Sequence, residues 1–271
     1  MALIEQVSKL GKADLHIHTN FSDGKNSVEE VLSYTQDYTD LDVIAITDHN
    51  TIDGALEARK IALKNNYRFE VIVGEEISTM HGHIIGLFLD SKVESGMSVE
   101  KTLKSIKKQG GLTIAPHPFF HTRMKTNNGL LMDGIGVVRL IREKSSIDGV
   151  EGINATPSLA QENIRAQFVN NALIFKAEIG SSDAHIKDII GKGRTLFEGK
   201  SAEELRAAIE NGQTKAVSER KNFSAILKYG FFFLPKGTRM FFYTLFHGRT
   251  AKRPRIIGID KKSFHNIKDD R

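Results

Sequence analysis

The chain has 271 residues, a hydrophobic fraction of 40% and a formal net charge of +5. This length and apolar content predict a globular protein with a substantial core, as one large α/β domain or two smaller ones. Cysteine is absent, which excludes disulfides and thiolate chemistry, so any bound metal must be held by imidazole and carboxylate groups. The first residues show no signal-peptide pattern, and we expect a cytoplasmic protein.

Short runs typical of β-strands recur along the chain and alternate with helical patterns. They cover residues 13–18, 41–47, 69–75, 83–89, 112–116, 149–154 and 174–180. Most are almost continuously apolar, as expected of strands buried on both faces. The fourth run follows the third after a few residues, which suggests one hairpin. The pattern predicts an α/β fold of the barrel type, with a doubly wound open sheet as the alternative.

Expected helix starts carry the capping-box pattern, a serine followed three residues later by glutamate or glutamine. The pairs are Ser27 with Glu30, Ser158 with Gln161, and Ser201 with Glu204. In such a pair each side chain accepts a hydrogen bond from the other residue's backbone N–H. We therefore predict helices that begin at these three serines.

Histidines and acids lie at or just after the C-terminal ends of the predicted strands. They are His16, His18, Asp48, His49, Glu75, Glu76, His117, Asp183 and His185. His83 begins its run instead, as it would if that strand were antiparallel and so started at the same rim. Because the C-terminal strand ends of a parallel barrel converge, we expect these side chains to meet there.

Each of these signals has an ordinary structural explanation when it is taken alone. His16 and His18 share one strand face simply because strand side chains alternate, and Asp23 suits a turn. Either Glu75 or Glu76 could be the acid that faces the rim. Together, however, six of the ten histidines occupy predicted strand ends. Imidazole and carboxylate suit zinc, manganese or iron, so we predict a shared metal centre.

The segments DLHIHTNFSDG, ITDHN, GEEIST, HIIGLF, APHPF and SSDAH resemble, in order and spacing, the successive motifs of the PHP (polymerase and histidinol phosphatase) superfamily of metal-dependent phosphoesterases. The resemblance spans residues 13 to about 217 and implies a distorted (β/α)7 TIM-like barrel with a trinuclear site at the C-terminal rim. It implies as metal ligands His16, His18, Asp23, His49, Glu76, His83, His117, Asp183 and His185. The resemblance favours Glu76 over Glu75 as the metal ligand.

Nine candidate ligands are too many for one ion, so two or three divalent ions are expected, manganese, zinc or iron. Two ions bridged by a hydroxide supply a nucleophile and stabilise the oxygens of an in-line displacement. We therefore predict hydrolysis of a phosphate ester, a small-molecule or nucleotide phosphomonoester. A nuclease, a cyclic phosphodiesterase and a catalytically idle binding module are the alternatives.

Cationic side chains that follow the rim motifs are candidates for binding substrate phosphate. They are Arg123, Lys125, Lys187, Lys192 and Arg194, of which Arg123, Lys187 and Arg194 are preferred. Solvated surface charge is the alternative for each. Asn154 either orients a ligand or substrate, or caps the helix that follows it.

The composition changes near residue 220. Residues 221–271 contain 12 Lys and Arg against 3 Asp and Glu, together with ten Phe and Tyr, whereas residues 1–220 contain 26 basic and 30 acidic residues. We predict a barrel over 1–220 and a basic, aromatic-rich extension over 221–271. Its apolar runs are too short to span a membrane. Packing or homodimerisation, peripheral contact with a membrane and nucleic-acid binding are its candidate roles, in that order.

Overall fold

The computed structural model describes residues 10–121, 133–219 and 224–234. Its strands are β1 (Gly11–Ile17), β2 (Val43–Ile46), β3 (Glu70–Thr79), β4 (Gly82–Leu87), β5 (Leu112–Ala115), β6 (Gly149–Asn154), β7 (Ala177–Ser181), β8 (Gly193–Phe197) and β9 (Lys215–Ser218). Its α-helices are α1 (Val28–Tyr38), α2 (Asp53–Lys64), α3 (Val99–Lys108), α4 (Gly136–Arg142), α5 (Ala160–Val169) and α6 (Ala202–Glu210). Short 3-10 helices cover Lys144–Ser146 and Lys187–Ile189, and a π-helical turn covers Asn170–Ile174.

All nine strands form one sheet in the order β7-β6-β5-β4-β3-β2-β1-β8-β9. The α/β barrel prediction is confirmed. Strands β1, β2 and β3 are parallel neighbours, as are β5, β6 and β7. The predicted hairpin is the antiparallel pair β3 and β4, so His83 does lie at the same rim as the ends of the parallel strands.

The sheet curves until its two ends approach each other, which makes a nearly closed barrel. Thr195 of β8 accepts a hydrogen bond from the N–H of Gly180 in β7 and donates one to its carbonyl, at 3.0 and 2.9 Å. A Cβ at Gly180 would lie 2.2 Å from the carbonyl oxygen of Arg194. Glycine is therefore required where β7 and β8 meet.

Strands β8 and β9 were not among the predicted strands. Both are short, and β8 carries the polar residues Arg194 and Thr195 at buried positions. Apolar patterning therefore does not reveal them. Strand β8 pairs antiparallel with β1, and β9 pairs antiparallel with β8, at the place where the barrel closes.

The capping predictions have mixed outcomes. Helix α1 begins after Ser27 and helix α6 after Ser201, and each has a complete capping box. The prediction at Ser158 was wrong, because α5 begins one residue later, after Leu159, without a side-chain cap. Turn geometry and the packing of Leu159, which is buried, set that start instead.

The apolar core joins the strands to helix α6. Leu15, Val43 and Ile114 of the barrel strands belong to the same buried cluster as Leu205 and Ile209 of α6. Burial of this cluster provides the main stabilisation of the fold, at about 25 cal/mol for each Å² of apolar surface removed from water. The rigid strands then fix the positions of the polar residues at their ends.

A further helix covers residues 224–234. By its contacts the chain divides into two compact units, Met1–Ile226 and Leu227–Arg271. The boundary at residue 220 stays a prediction. Among the residues that the structure describes, no helix combines the length and apolar character needed to cross a membrane.

Candidate metal centre

The structure brings together all nine residues that the sequence predicted as metal ligands. They form four overlapping groups that could each hold an ion: His18, Asp23, His49 and His185; His16, His117 and Asp183; His16, His18 and Glu76; and His49, Glu76 and His83. Each lies near the end of a strand or in the loop after it, except Glu76 within β3 and His83 near the start of β4. The shared members make the groups one continuous site.

Glu76 lies at the centre of this site, and its carboxylate faces five histidines. Oε2 lies 3.1 Å from Nε2 of His16, 3.3 Å from Nε2 of His18 and 3.2 Å from Nδ1 of His49. Oε1 lies 2.8 Å from Nδ1 of His83 and 3.1 Å from Nε2 of His117. Both oxygens are therefore placed where two neighbouring ions could share this one carboxylate.

The adjacent acid, Glu75, points to the other face of β3 because strand side chains alternate. It is buried, and its Oε2 accepts a hydrogen bond from the N–H of Val93 at 2.8 Å. Burial raises the pKa of Glu75 to about 7. Glu76, and not Glu75, is thus the acid that faces the rim.

Two aspartates complete the cluster. Oδ1 of Asp183 lies 3.2 Å from Nε2 of His18 and 3.4 Å from Nε2 of His16. Oδ1 of Asp23 lies 3.1 Å from Nε2 of His185. Asp183 connects the inner histidines to His185, whose Nδ1 is 3.5 Å from it, and Asp23 closes the outer side of the site.

Backbone strain marks the same region. His117 and Asp183 have φ angles of 25° and 53°, in the left-handed region that non-glycine residues rarely occupy. Holding a residue there costs on the order of 1–3 kcal/mol, and such residues concentrate at functional sites. The backbone strain at these two residues lowers the stability of the fold, and it directs both side chains into the cluster.

The charges of the cluster are strongly coupled. Burial opposes ionisation of Glu76, but the imidazoles of His83 and His49 outweigh it and hold the pKa of Glu76 well below its ordinary value. Burial lowers the pKa of His49 to about 3. Burial also disfavours the charged form of His185, yet Asp23 raises the pKa of His185 to about 9. The cluster thus holds carboxylates and the neutral imidazole of His49, both forms that bind metals, beside the imidazole of His185, which must lose a proton to do so.

The donor set fits metal ions. Both ring nitrogens of His18 and His83, and Nδ1 of His117, are buried and make no hydrogen bond of good geometry, although carboxylate oxygens lie close to Nε2 of His18 and Nδ1 of His83. Buried polar atoms normally make hydrogen bonds, so buried nitrogens that make none indicate a site for a bound ligand such as a metal ion. Ligand bonds of about 2.1 Å place two ligands of one ion roughly 3 Å apart, which matches the nitrogen–oxygen separations around Glu76.

Comparison with known proteins agrees with this chemistry. A family model described as the PHP domain matches residues 14–223. The chain belongs to the PHP domain family. This PHP protein is 48% identical over 119 residues to the uncharacterized protein MJ1587 of Methanocaldococcus jannaschii, a match that covers 40% of this chain and 68% of that protein.

Solved structures share the fold of this PHP protein. One is a two-domain protein from Bacteroides vulgatus, described as containing a predicted PHP-like metal-dependent phosphoesterase, with a TM-score of 0.58 and 22% identity. The match covers 78% of this chain but 65% of that one, so this chain spans less than two thirds of its length. Another is the lesion-specific endonuclease EndoQ of Pyrococcus furiosus, with a TM-score of 0.50, 16% identity, and coverage of 76% and 57%.

Glu151 is a site residue that the sequence analysis missed. It is buried in β6, and its Oε1 lies 3.1 Å from Nδ1 of His16. Its Oε2 accepts hydrogen bonds from the N–H of His117 at 2.6 Å and from Nδ2 of Asn154 at 2.9 Å. Asn154 also donates to Oδ2 of Asp183 at 3.1 Å. Hydrogen bonds with Glu151 and Asn154 therefore hold His16, His117 and Asp183 of the PHP site in position.

Asp48 braces the loop that carries Asp23. Its Oδ1 accepts hydrogen bonds from the N–H of Thr19 at 2.7 Å and from the hydroxyl of Ser22 at 2.6 Å. Its Oδ2 accepts from the hydroxyl of Thr19 at 2.6 Å. A Cβ at Gly54, the second residue of helix α2, would lie 2.4 Å from this oxygen, so a larger residue there would displace the carboxylate of Asp48. Asp48 is buried among these donors and holds the loop over the site.

The candidate phosphate-binding cations have other partners where the structure describes them. The Arg194 guanidinium is buried and pairs with Asp40 at 2.6 Å and Glu219 at 2.9 Å. Asp40 precedes β2, at the end opposite His49, so we assign Arg194 to holding the barrel together and do not place it at the substrate. Lys187 pairs with Glu30 at 3.3 Å, and Lys192 lies 3.7 Å from Glu219. Arg123 and Lys125 lie outside the described residues.

Proposed function

We propose that this PHP protein hydrolyses a phosphate ester, a small-molecule or nucleotide phosphomonoester, with two or three divalent ions of manganese, zinc or iron. One observation carries the proposal: nine imidazole and carboxylate groups converge at one rim in four overlapping groups. Structural neighbours described as metal-dependent phosphoesterases support the reaction class.

We assign all nine residues to metal binding: His16, His18, Asp23, His49, Glu76, His83, His117, Asp183 and His185. When bound, the ions lower the pKa of water and stabilise negative charge on phosphate oxygens. The chain itself supplies the rest. Glu76 and Asp183 hold their oxygens between facing imidazoles, and burial of the cluster excludes bulk water, which strengthens each electrostatic contact.

Protons must leave the site when ions bind. Burial disfavours the charged form of His16, but Asp183 and Glu76 hold its pKa well above the ordinary value. For His185 likewise, burial disfavours the charged form but Asp23 raises the pKa. Since coordinating imidazoles are neutral, loading the site displaces these protons, and metal affinity should fall as the pH falls.

The number of ions is tested by metal analysis of the full chain after reconstitution with manganese or zinc. We expect more than one equivalent, because nine ligands exceed what one ion can use. A value of one or less would contradict the multinuclear proposal.

The site is tested by substitution. Asp183→Ala should lower turnover of a phosphate ester by orders of magnitude, because charge stabilisation in the transition state is lost. The matched control is His121→Ala, since His121 is half exposed, outside the nine, and 3.7 Å from Asp133. Undiminished turnover in Asp183→Ala would place the chemistry elsewhere.

The substrate class is tested with manganese-loaded protein on sugar phosphates, nucleotides, nucleoside bisphosphates, cyclic nucleotides and short oligonucleotides. Release of phosphate from the monoesters supports the proposal. A nuclease is the second candidate, because a solved neighbour is described as a lesion-specific endonuclease, and cleavage of oligonucleotides alone would favour it. Full metal loading without any hydrolysis would favour an idle binding module.

A further inference from the structure

Helices α4 and α5 and the π-helical turn expose large apolar side chains on the barrel exterior. The set consists of Val138, Ile141, Ile164, Phe168, Leu173 and Phe175, which we call the apolar patch. Ile164, Phe168 and Phe175 are 69%, 71% and 72% exposed. Scattered apolar residues are ordinary on protein surfaces, but a contiguous group of this kind marks an interaction site.

The members of the apolar patch belong to one region of the surface. The π-helical turn that carries Leu173 contacts both α4 and α5, and Nζ of Lys144 donates to the carbonyl oxygen of Leu173 at 3.4 Å. On α5, Ile164 and Phe168 are four residues apart, so they lie on the same helix face. The outward side of α5 thus carries two large apolar side chains, whereas its buried residue is the small Ala166, which departs from the usual arrangement.

Phe175 is held outward at a local cost. It adopts a left-handed conformation, with φ 60° and ψ 47°, at the end of the π-helical turn, where its N–H donates to the carbonyl oxygen of Asn170 at 2.8 Å. Glycine or asparagine would adopt this conformation with less strain. This phenylalanine is strained and 72% exposed, so it buries little apolar surface against the described residues and supports a contact beyond them.

Basic side chains surround the apolar patch. Arg139, Arg142, Lys144, Arg165 and Lys176 lie on the same helices and turns, against the half-buried acids Glu143 and Glu162. The other acids of this stretch are engaged elsewhere, since Asp148 pairs with Lys107 at 2.5 Å and Glu151 is buried in the metal centre. This region is therefore positive, although residues 1–220 have 26 basic and 30 acidic residues.

We propose that the apolar patch docks on the surface of an anionic lipid bilayer, with its aromatic and aliphatic side chains in the interfacial layer and its basic rim on the headgroups. Protruding apolar groups with flanking cations are the chemistry that such a surface binds. A second copy of the chain fits less well, because an isologous contact would bring the two basic rims together.

The first experiment uses tryptophan fluorescence in the full chain, which has no native tryptophan. Phe168→Trp places one reporter in the apolar patch, and Leu63→Trp places a control at a similarly exposed position, 73%, on α2. Vesicles of phosphatidylcholine with phosphatidylglycerol should shift the emission of Phe168→Trp to the blue and leave that of Leu63→Trp unchanged. No shift in Phe168→Trp, or equal shifts in both, would overturn the proposal.

The second experiment measures co-sedimentation with the same vesicles. Phe168→Ser and the pair Arg142→Glu with Arg165→Glu should each weaken binding on the order of tenfold. The matched controls are Leu63→Ser and the pair Lys60→Glu with Lys64→Glu on α2. Binding of the parent should weaken as salt rises. Residues 221–271 are present in every variant, so differences between variants report on the apolar patch.

Other occupants give different results. Parental binding that all variants retain would assign any lipid contact to another part of the chain. Absence of parental binding, together with a dimer that Phe168→Ser converts to a monomer in light scattering, would assign the apolar patch to a second copy. Either outcome overturns the proposal. Circular dichroism and thermal unfolding of each variant exclude misfolding as the cause of a loss.

Discussion

Oε1 of Glu151 lies 3.1 Å from Nδ1 of His16, on the side of the imidazole opposite the metal centre. A carboxylate oxygen accepts hydrogen bonds, so when His16 gives up one proton on metal loading, this contact favours keeping the remaining proton on Nδ1 and leaves Nε2 to face Glu76 and Asp183. We therefore propose that Glu151 selects the nitrogen of His16 that binds a metal. Loss of a partner of this kind typically lowers metal affinity or activity by about 10- to 100-fold.

Replacing Glu151 with glutamine should lower metal affinity and turnover by about 10- to 100-fold without unfolding the protein. Both carboxylate oxygens of Glu151 accept hydrogen bonds, one from the hydroxyl of Ser181 and the other from the N–H of His117. The glutamine side chain has an NH₂ group in place of one of these oxygens, so one donor would face another donor. Metal titration monitored by calorimetry gives the measurement. Glu162→Gln on α5 is the matched control, and equal affinities in the two variants would contradict the role of Glu151.

Replacing Glu75 with glutamine should change how stability depends on pH. Burial raises the pKa of Glu75 to about 7 from 4.5, so between these values the folded state binds more protons than the unfolded state, and stability falls as the pH rises. The full effect is up to about 3 kcal/mol. Urea unfolding at pH 4.5 and pH 8 should show a smaller decline in Glu75→Gln than in the parent. An identical decline would show that Glu75 titrates normally.

The helix caps offer a paired test of local structure. The hydroxyl of Ser27 accepts a hydrogen bond from the N–H of Glu30, and Ser27→Ala should lower the free energy of unfolding by about 1 kcal/mol. Ser158 was also predicted to cap a helix, but α5 starts after Leu159. Ser158→Ala should therefore change stability by less than about 0.5 kcal/mol. A larger loss at Ser158 than at Ser27 would reverse this assignment.

Deletion of residues 221–271 should leave metal content and hydrolysis of a small phosphate ester unchanged, because all nine proposed ligands precede residue 186. If the extension packs on the barrel or a partner subunit, the melting temperature should fall or an oligomer should dissociate. If it contacts a membrane or nucleic acid, stability should be kept while salt-sensitive binding is lost. A truncated chain that folds but binds no metal would contradict the predicted boundary.

Local sequence patterns predicted the succession of strands and the polar residues at their ends, and the resemblance to the PHP superfamily selected the nine candidate ligands. Continuous apolar runs predicted β1 to β7, and a strand-end position for nearly every candidate ligand followed from those runs. The period of two along a strand was enough to place His16 and His18 on one face. These features depend on residues close together in sequence, which is why the sequence by itself determined the fold class and predicted a cluster of imidazole and carboxylate groups at one rim.

Tertiary structure decided what depends on distant contacts. Glu151 looks like any charged residue in a strand, and only its position beneath His16, 135 residues away, makes it part of the site. From the sequence, Arg194 was a candidate for binding substrate phosphate. In the structure its guanidinium pairs with Asp40 and Glu219. Strands β8 and β9 carry weak local signals, and they form because closing the sheet satisfies their hydrogen bonds and buries the side chains of β8. Long-range pairing of this kind is a property of the whole fold and not of any short segment.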